Sequence, residues 1–164
     1  MYWKALYVAP KWEKKIAARL LEKGLESYLP LKMERKQWSD RKKNVITPLI
    51  NGYVFVKLNP QQRDQVFYVE GVLQYVRFNG TDAMIRDVEI EALKSIEAKG
   101  YHVEINKSGA FTEGEMVNIS HGPFKGLTGI VEHHKSENVC TINITGMGYS
   151  LKIRLPHEIL NKAH

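Results

Sequence analysis

The chain opens on an alternating run. "WKALYVA", residues 3–9, sets apolar and aromatic side chains at every second position and predicts a strand. The rhythm then lengthens. In "KWEKKIAARLLEKG" Trp12, Ile16, Ala17, Leu20 and Leu21 fall on one stripe, and Glu13, Lys14, Arg19 and Glu22 fall opposite, which predicts an amphipathic helix ending near Gly24. "ESYLPLKMERKQW" and "KNVITPL" predict two extended arms joined by the polar turn "SDRKK". "NGYVFVKL" carries no charge until its end and predicts a central strand buried on both faces. "NPQQRDQ" reads as a loop or short helix, "VLQYVRF" as a strand and "NGTD" as a turn. "RDVEIEALKSIEAKG" predicts a second helix from Asp87 to a stop at Gly100.

Beyond residue 100 the pattern changes. "YHVEINKSGA", residues 101–110, has no clear period and is expected to link two domains, 1–100 and 111–164. "EMVNIS", "LTGIVEH", "VCTINIT" and "YSLKIRL" follow as short β-branched runs between glycine or polar turns, which predicts a small closed barrel. The β-branched residues and the glycines of this half disfavour any helical form, so a permanently β-structured domain is expected.

Composition sharpens the division. The chain of 164 residues carries a net charge of +6. From residue 110 onward five basic residues (Lys125, Lys135, Lys152, Arg154, Lys162) balance five acidic ones (Glu113, Glu115, Glu132, Glu137, Glu158), so the whole excess lies in residues 1–109. A basic half suits nucleic acid, an acidic protein surface or simple solubility. The one cysteine, Cys140, allows no disulfide framework, no apolar run approaches a membrane span, and the N-terminal run lacks a secretory cleavage pattern, so a cytoplasmic location is expected.

"MVNISHGPFKGLTGIVEH" reads as strand, glycine loop, strand. Pro123 pre-sets a turn, Gly122 and Gly126 admit positive φ, and Gly129 is expected to permit a sharp bend. This stretch resembles the KOW motif of small SH3-like barrels. A KOW barrel after an α+β domain is the layout of the NusG family. The other half agrees. "WKALYVAPKWEKKIAARL" looks like that family's first strand and helix. "PLINGYVFVKL" resembles its "PLFPGYVFV" strand, with Ile50 and Asn51 in place of Phe-Pro, and "EGVLQYVRFNG" resembles the stretch that follows. The resemblance implies an N-terminal antiparallel sheet with flanking helices, followed by an all-β SH3-like KOW barrel. It implies a bacterial transcription elongation or antitermination factor, with the "QWSDRKK" arm pointing to a specialised paralogue.

The same resemblance implies where partners bind. Tyr7, Tyr53 and Phe55 match an apolar patch that takes the clamp helices of the RNA polymerase β′ subunit. Tyr53 and Phe55, two apart on one strand, share a face, which suits either a docking patch or core. Gln62, Arg63, Asp64 and Gln65 match by position, though not by residue type, a loop that contacts the polymerase β subunit. The KOW barrel implies a small-subunit ribosomal protein or the terminator Rho as partner, through Gly122, Pro123, Phe124, Lys125 and Gly126. Phe124 is expected either outward at the loop tip or folded over the barrel's open end.

DNA or RNA of the elongation complex is the third candidate partner. Lys11, Lys14, Lys15, Arg19 and Lys23 crowd the first helix, with Arg19 near enough to Glu22 to pair. Lys32, Arg35, Lys36, Arg41, Lys42 and Lys43 crowd the hairpin around Trp38. Cations neutralise phosphates, and an aromatic among them stacks on an unpaired base. The alternative is a KOW-containing RNA- or ribosome-binding protein that never meets polymerase, against which the neutral barrel half argues. No catalytic constellation, phosphate loop or cofactor motif stands out. His121, His133, His134 and Cys140 match no zinc spacing, so neither an enzyme nor a metal protein is expected.

Overall fold

The computed structural model describes residues 1–106, 114–133, 138–144, 149–155 and 160–162. They form two compact units, Met1–Met84 and Ile85–His164. The first unit runs β1 (Tyr2–Val8), α1 (Glu13–Glu22), β2 (Glu26–Tyr28), β3 (Leu31–Gln37), β4 (Lys42–Pro48), β5 (Tyr53–Leu58), a 3-10 helix (Pro60–Tyr68), β6 (Val72–Tyr75), β7 (Arg77–Phe78) and β8 (Thr81–Asp82). β9 (Met84–Ile85) spans the division. The main sheet is antiparallel in the order β2–β5–β1–β6, with β9 pairing off β1. β5 lies between two neighbours and is buried from Tyr53 through Val56, as its lack of charge predicts. Leu6 and Val8 of β1, Val54, Val56 and Leu58 of β5, and Ile16, Ala17 and Leu20 of α1 form one core with Val66 and Val69.

Two positions of α1 differ from the expected stripe. Leu21 is exposed, at the margin of the buried face. Glu13, expected on the polar side, is buried because its Oε1 accepts a hydrogen bond from the backbone N–H of Gly52 at 2.8 Å. A buried carboxylate needs such a donor, and the partner lies 39 residues away. Arg19 pairs with Glu70 at 3.3 Å rather than with Glu22.

The second unit runs α2 (Asp87–Lys99), β10 (Val103–Asn106), β11 (Glu115–Ile119), a 3-10 turn (Gly122–Phe124), β12 (Thr128–His133), β13 (Asn138–Ile144), β14 (Tyr149–Leu155) and β15 (Leu160–Lys162). The buried carboxylate of Glu89 caps α2, accepting from the backbone N–H of Arg86 at 2.8 Å. The helix stops at Gly100, φ 64°. The strands form one antiparallel sheet in the order β10–β14–β13–β12–β11–β15. β10 falls in the expected linker: Val103 and Ile105 sit at alternate positions opposite Ile153 and Leu151 of β14. Four residues are too few to show a period, and the partner strand completes it. Residues 107–110, the rest of that stretch, lie outside the described residues.

Gly129 answers to close approach rather than to a bend. A Cβ there would lie 2.5 Å from the Cys140 Sγ and 3.0 Å from the Thr141 carbonyl oxygen. The thiol occupies the space a side chain would take. Cys140 is buried, and desolvation pushes its pKa up to about 11. The thiolate is the nucleophile, so the native chain should react with a disulfide reagent at pH 8 far more slowly than the chain unfolded in guanidinium. Equal rates would show that the thiol is open to solvent.

Candidate docking face and nucleic-acid interface

The β1–β5 register sets Tyr7 opposite Tyr53 and Ala5 opposite Phe55. Tyr7 and Tyr53 meet edge to face, ring centres 5.6 Å apart. Gly52 makes room for this pair: φ is 79°, and a Cβ would come within 3.2 Å of the Tyr7 ring. The Gly52 carbonyl accepts from Val8 N–H at 2.9 Å while its own N–H is held by Glu13. Phe55 stacks against Tyr28 at 6.3 Å. The three aromatics share a face, yet exposure separates them: 37% for Tyr7, 8% for Tyr53 and 0% for Phe55. Of the two readings left open for these rings, docking patch and core, the burial of Tyr53 and Phe55 fits core, while Tyr7 is partly exposed. Tyr7 alone opens to solvent, because strand neighbours and Tyr28 enclose the other two.

The loop read as a second polymerase contact is largely held from within. Asn59 Oδ1 accepts from Gln62 N–H, and Gln62 Oε1 accepts from Asn59 N–H, at 3.0 and 3.1 Å. This reciprocal cap starts the 3-10 helix. Arg63 donates to Asp82 Oδ2 from Nη2 at 2.8 Å and from Nε at 3.1 Å, and lies 4.9 Å from the centre of the Tyr75 ring. Asp82 holds the guanidinium pKa above its usual value. The Tyr75 hydroxyl donates to the Arg63 carbonyl at 2.6 Å, and burial pushes that phenol up to about 12. Gln62 and Arg63 thus serve the fold. Asp64 and Gln65 are exposed.

β3 and β4 form a separate two-stranded ribbon, paired from Leu31–Pro48 to Gln37–Lys42 and closed by Trp38 N–H donating to the Arg41 carbonyl at 2.8 Å. Lys32 bonds Glu34 across one strand position, which lowers the Glu34 pKa. Among the described residues, Arg35, Lys36, Arg41, Lys42 and Lys43 form no ion pair. Lys36 stands directly opposite Lys43. From α1, Lys14 Nζ donates to the Ile46 carbonyl of β4 at 2.7 Å, and Lys15 lies 4.4 Å over the Trp12 ring. Lys11 is exposed, with φ 68°.

The glycine loop departs from the outward-facing alternative. Gly122 and Gly126 do take positive φ, 75° and 86°. Phe124, however, is fully buried, its ring 5.5 Å from that of Tyr101, and α2 packs against the turn that carries it. Lys125 remains exposed. Among the described residues no group of three histidine, cysteine, aspartate or glutamate side chains is placed to hold a metal, and His134 lies outside those residues. No described helix is long and apolar enough to cross a membrane.

A family model described as "Transcription termination factor nusG" matches residues 1–94, which takes in the whole aromatic face, the ribbon and most of α2. The chain belongs to the NusG family. A solved structure of Thermotoga maritima NusG, described by its domain interaction, is similar over 99% of this chain and 97% of that one, at a TM-score of 0.54 and 20% identity. At that identity the likeness carries the fold: mixed α and β, with antiparallel sheets and few helices. No protein with a curated description matches. NusG-family membership places the chain among transcription factors. The family match runs through the division at Met84 and covers α2 as far as residue 94, so both compact units contain NusG-family sequence.

Proposed function

We propose that this NusG-family chain travels with the transcription elongation complex and acts on elongation or antitermination without catalysing a reaction of its own. The observation that carries the reading is the family match over residues 1–94, which includes the strand bearing Tyr7 and the "NGYVFV" strand beside it. Tyr7 is the anchor offered to the clamp helices of the polymerase β′ subunit. Tyr53 supports its ring from below, and Phe55 supports the sheet. Gln65, and Asp64, which is exposed though its Oδ1 accepts from Arg63 Nη1 at 3.2 Å, are the members of the loop placed to meet the β subunit.

The second half, residues 111–164 in the sequence division, is proposed to close as a KOW barrel. Five antiparallel strands of that range, joined by β10 from just before it, and the buried Phe124 support this. Its charge balance suits a protein partner, a ribosomal protein or Rho, better than RNA. With Phe124 enclosed, Lys125 and the backbone of Gly122, Pro123 and Gly126 are what the loop offers.

Tyr7→Ala is expected to weaken binding to purified core RNA polymerase by about 1–3 kcal/mol, the loss of one anchor. Its thermal midpoint should stay close to that of the parent. A folded Tyr7→Ala chain that binds polymerase like the parent overturns the assignment of the face. Co-purification of the parent with ribosomes and not with polymerase would favour the ribosome-binding alternative.

A further inference from the structure

Glu13 is a carboxylate buried at the start of a helix, 4% exposed. Among the described residues no cation pairs with it. An acid in a first turn ordinarily faces the free N–H groups of its own helix. Here its Oε1 reaches away from the helix and accepts from the Gly52 N–H at 2.8 Å. A buried carboxylate is a poor means of holding a helix on a sheet, and Ile16, Ala17 and Leu20 already do so with apolar surface. What Glu13 adds is a fixed acceptor for one backbone N–H.

Gly52 stands between the two faces of the sheet. β1 alternates, with Leu6 and Val8 in the core beneath α1 and Tyr7 on the other face. The Gly52 N–H meets the α1 side through Glu13, while its Cα lies against the Tyr7 ring, where a Cβ would come within 3.2 Å. Two hydrogen bonds hold the residue at φ 79°. One is a sheet bond, Val8 N–H to the Gly52 carbonyl at 2.9 Å, and the other is the bond to Glu13. Glycine has the widest choice of backbone angles, so Gly52 keeps its place only as firmly as these bonds hold it. Tyr7 is open to solvent on one side, and its remaining contacts are the edge-on ring of Tyr53 and the Gly52 backbone. Whatever fixes Gly52 therefore fixes the angle of the Tyr7 ring.

We propose that Glu13 is the positioning residue of the docking face. From the far side of the sheet it fixes Gly52, sets the Tyr7 ring, and so governs affinity for polymerase without touching polymerase. This rests on the docking reading above.

Two measurements on the full-length chain test it. One is affinity for purified core RNA polymerase. The other is fluorine NMR of the chain labelled with fluorotyrosine, the Tyr7 signal being the one lost in Tyr7→Phe. Glu13→Ala should bind polymerase roughly fivefold more weakly or worse, the low end of what an anchor contributes, and should shift the Tyr7 signal. Glu13→Gln keeps an acceptor oxygen at the same reach and should match the parent in both. Glu13→Asp keeps the charge but falls one methylene short of Gly52. It should behave like Glu13→Ala, and it takes over the test if Glu13→Ala does not fold. Tyr7→Ala/Glu13→Ala should bind no more weakly than Tyr7→Ala, because Glu13 acts through the ring. Where Tyr7→Ala binds weakly, a folded Glu13→Ala chain with parental affinity, or losses that add in the double variant, overturns the proposal, and Glu13 then serves stability alone. Where Tyr7→Ala binds like the parent, the docking reading falls, and the Tyr7 signal decides the positioning by itself. A signal shifted in Glu13→Ala and restored in Glu13→Gln upholds it, and an unmoved signal overturns it.

Discussion

Phe124→Ala is expected to cost the fold about 3–5 kcal/mol, the loss seen when a fully buried phenylalanine leaves a cavity. Phe124 is among the largest side chains with no exposed surface, packed with the Tyr101 ring and beneath α2. The turn around it has little room to collapse. Leu127 N–H donates to the Phe124 carbonyl at 3.1 Å, Gly126 N–H to the Ile119 carbonyl at 2.9 Å, and Ile119 N–H to the Leu127 carbonyl at 2.9 Å. These bonds fix the backbone on both sides of the missing ring. Lys125→Ala, one residue along and exposed, should fall within about 0.5 kcal/mol of the parent. Phe124→Leu should recover much of the loss. Urea unfolding of the full-length chain reads all three. A Phe124→Ala chain as stable as Lys125→Ala would mean that the ring stands outward in solution, and the loop would regain Phe124 as a contact for its partner.

The parts legible in the sequence are those decided by neighbours along the chain. The arms around "SDRKK" became the β3–β4 ribbon because alternation and a polar turn act locally. β5 was legible from its uncharged run, and the end of α2 from Gly100. Residues whose role depends on a distant partner were not. Glu13 looks like a solvated helix residue until Gly52 N–H is placed beside it. Arg63 looks like a loop cation until Asp82, 19 residues on, takes its guanidinium. Gly129 looks like a bend until Cys140 fills its space. Val103 and Ile105 look like linker until β14 lies alongside. The candidate sites divide in the same way. Period two states that Tyr53 and Phe55 share a face, and the β1–β5 register brings Tyr7 beside them. Periodicity carries no information on what covers that face, and cover is what separates an anchor from a core residue. The ribbon's cations were legible because nothing in the fold claims them. Their continuity with α1 through Lys14 and Ile46 was not, since it spans 32 residues.

Phe55→Ala is accordingly expected to act on stability before it acts on any partner. Its ring is fully buried and stacked on Tyr28 in the middle of a strand paired on both sides. Truncation there should cost about 3–5 kcal/mol, a large part of the 5–15 kcal/mol typical of a whole domain. Tyr7→Ala removes a partly exposed ring whose main aromatic contact is the edge of Tyr53. A pair of that kind contributes about 0.5–1.5 kcal/mol beyond area burial. The two variants should therefore separate: a large fall in the urea midpoint for Phe55→Ala with little loss for Tyr7→Ala, and the reverse order for polymerase affinity once both are measured at a temperature where each is folded. The slope with urea should match the parent in both, so that the midpoints report stability. If Phe55→Ala keeps the parental midpoint and loses polymerase binding, the sheet face is open in solution and Phe55 is an anchor beside Tyr7. If it loses stability and binds polymerase normally once folded, its ring serves only to hold the strand that carries Tyr53, and the docking contact rests on Tyr7.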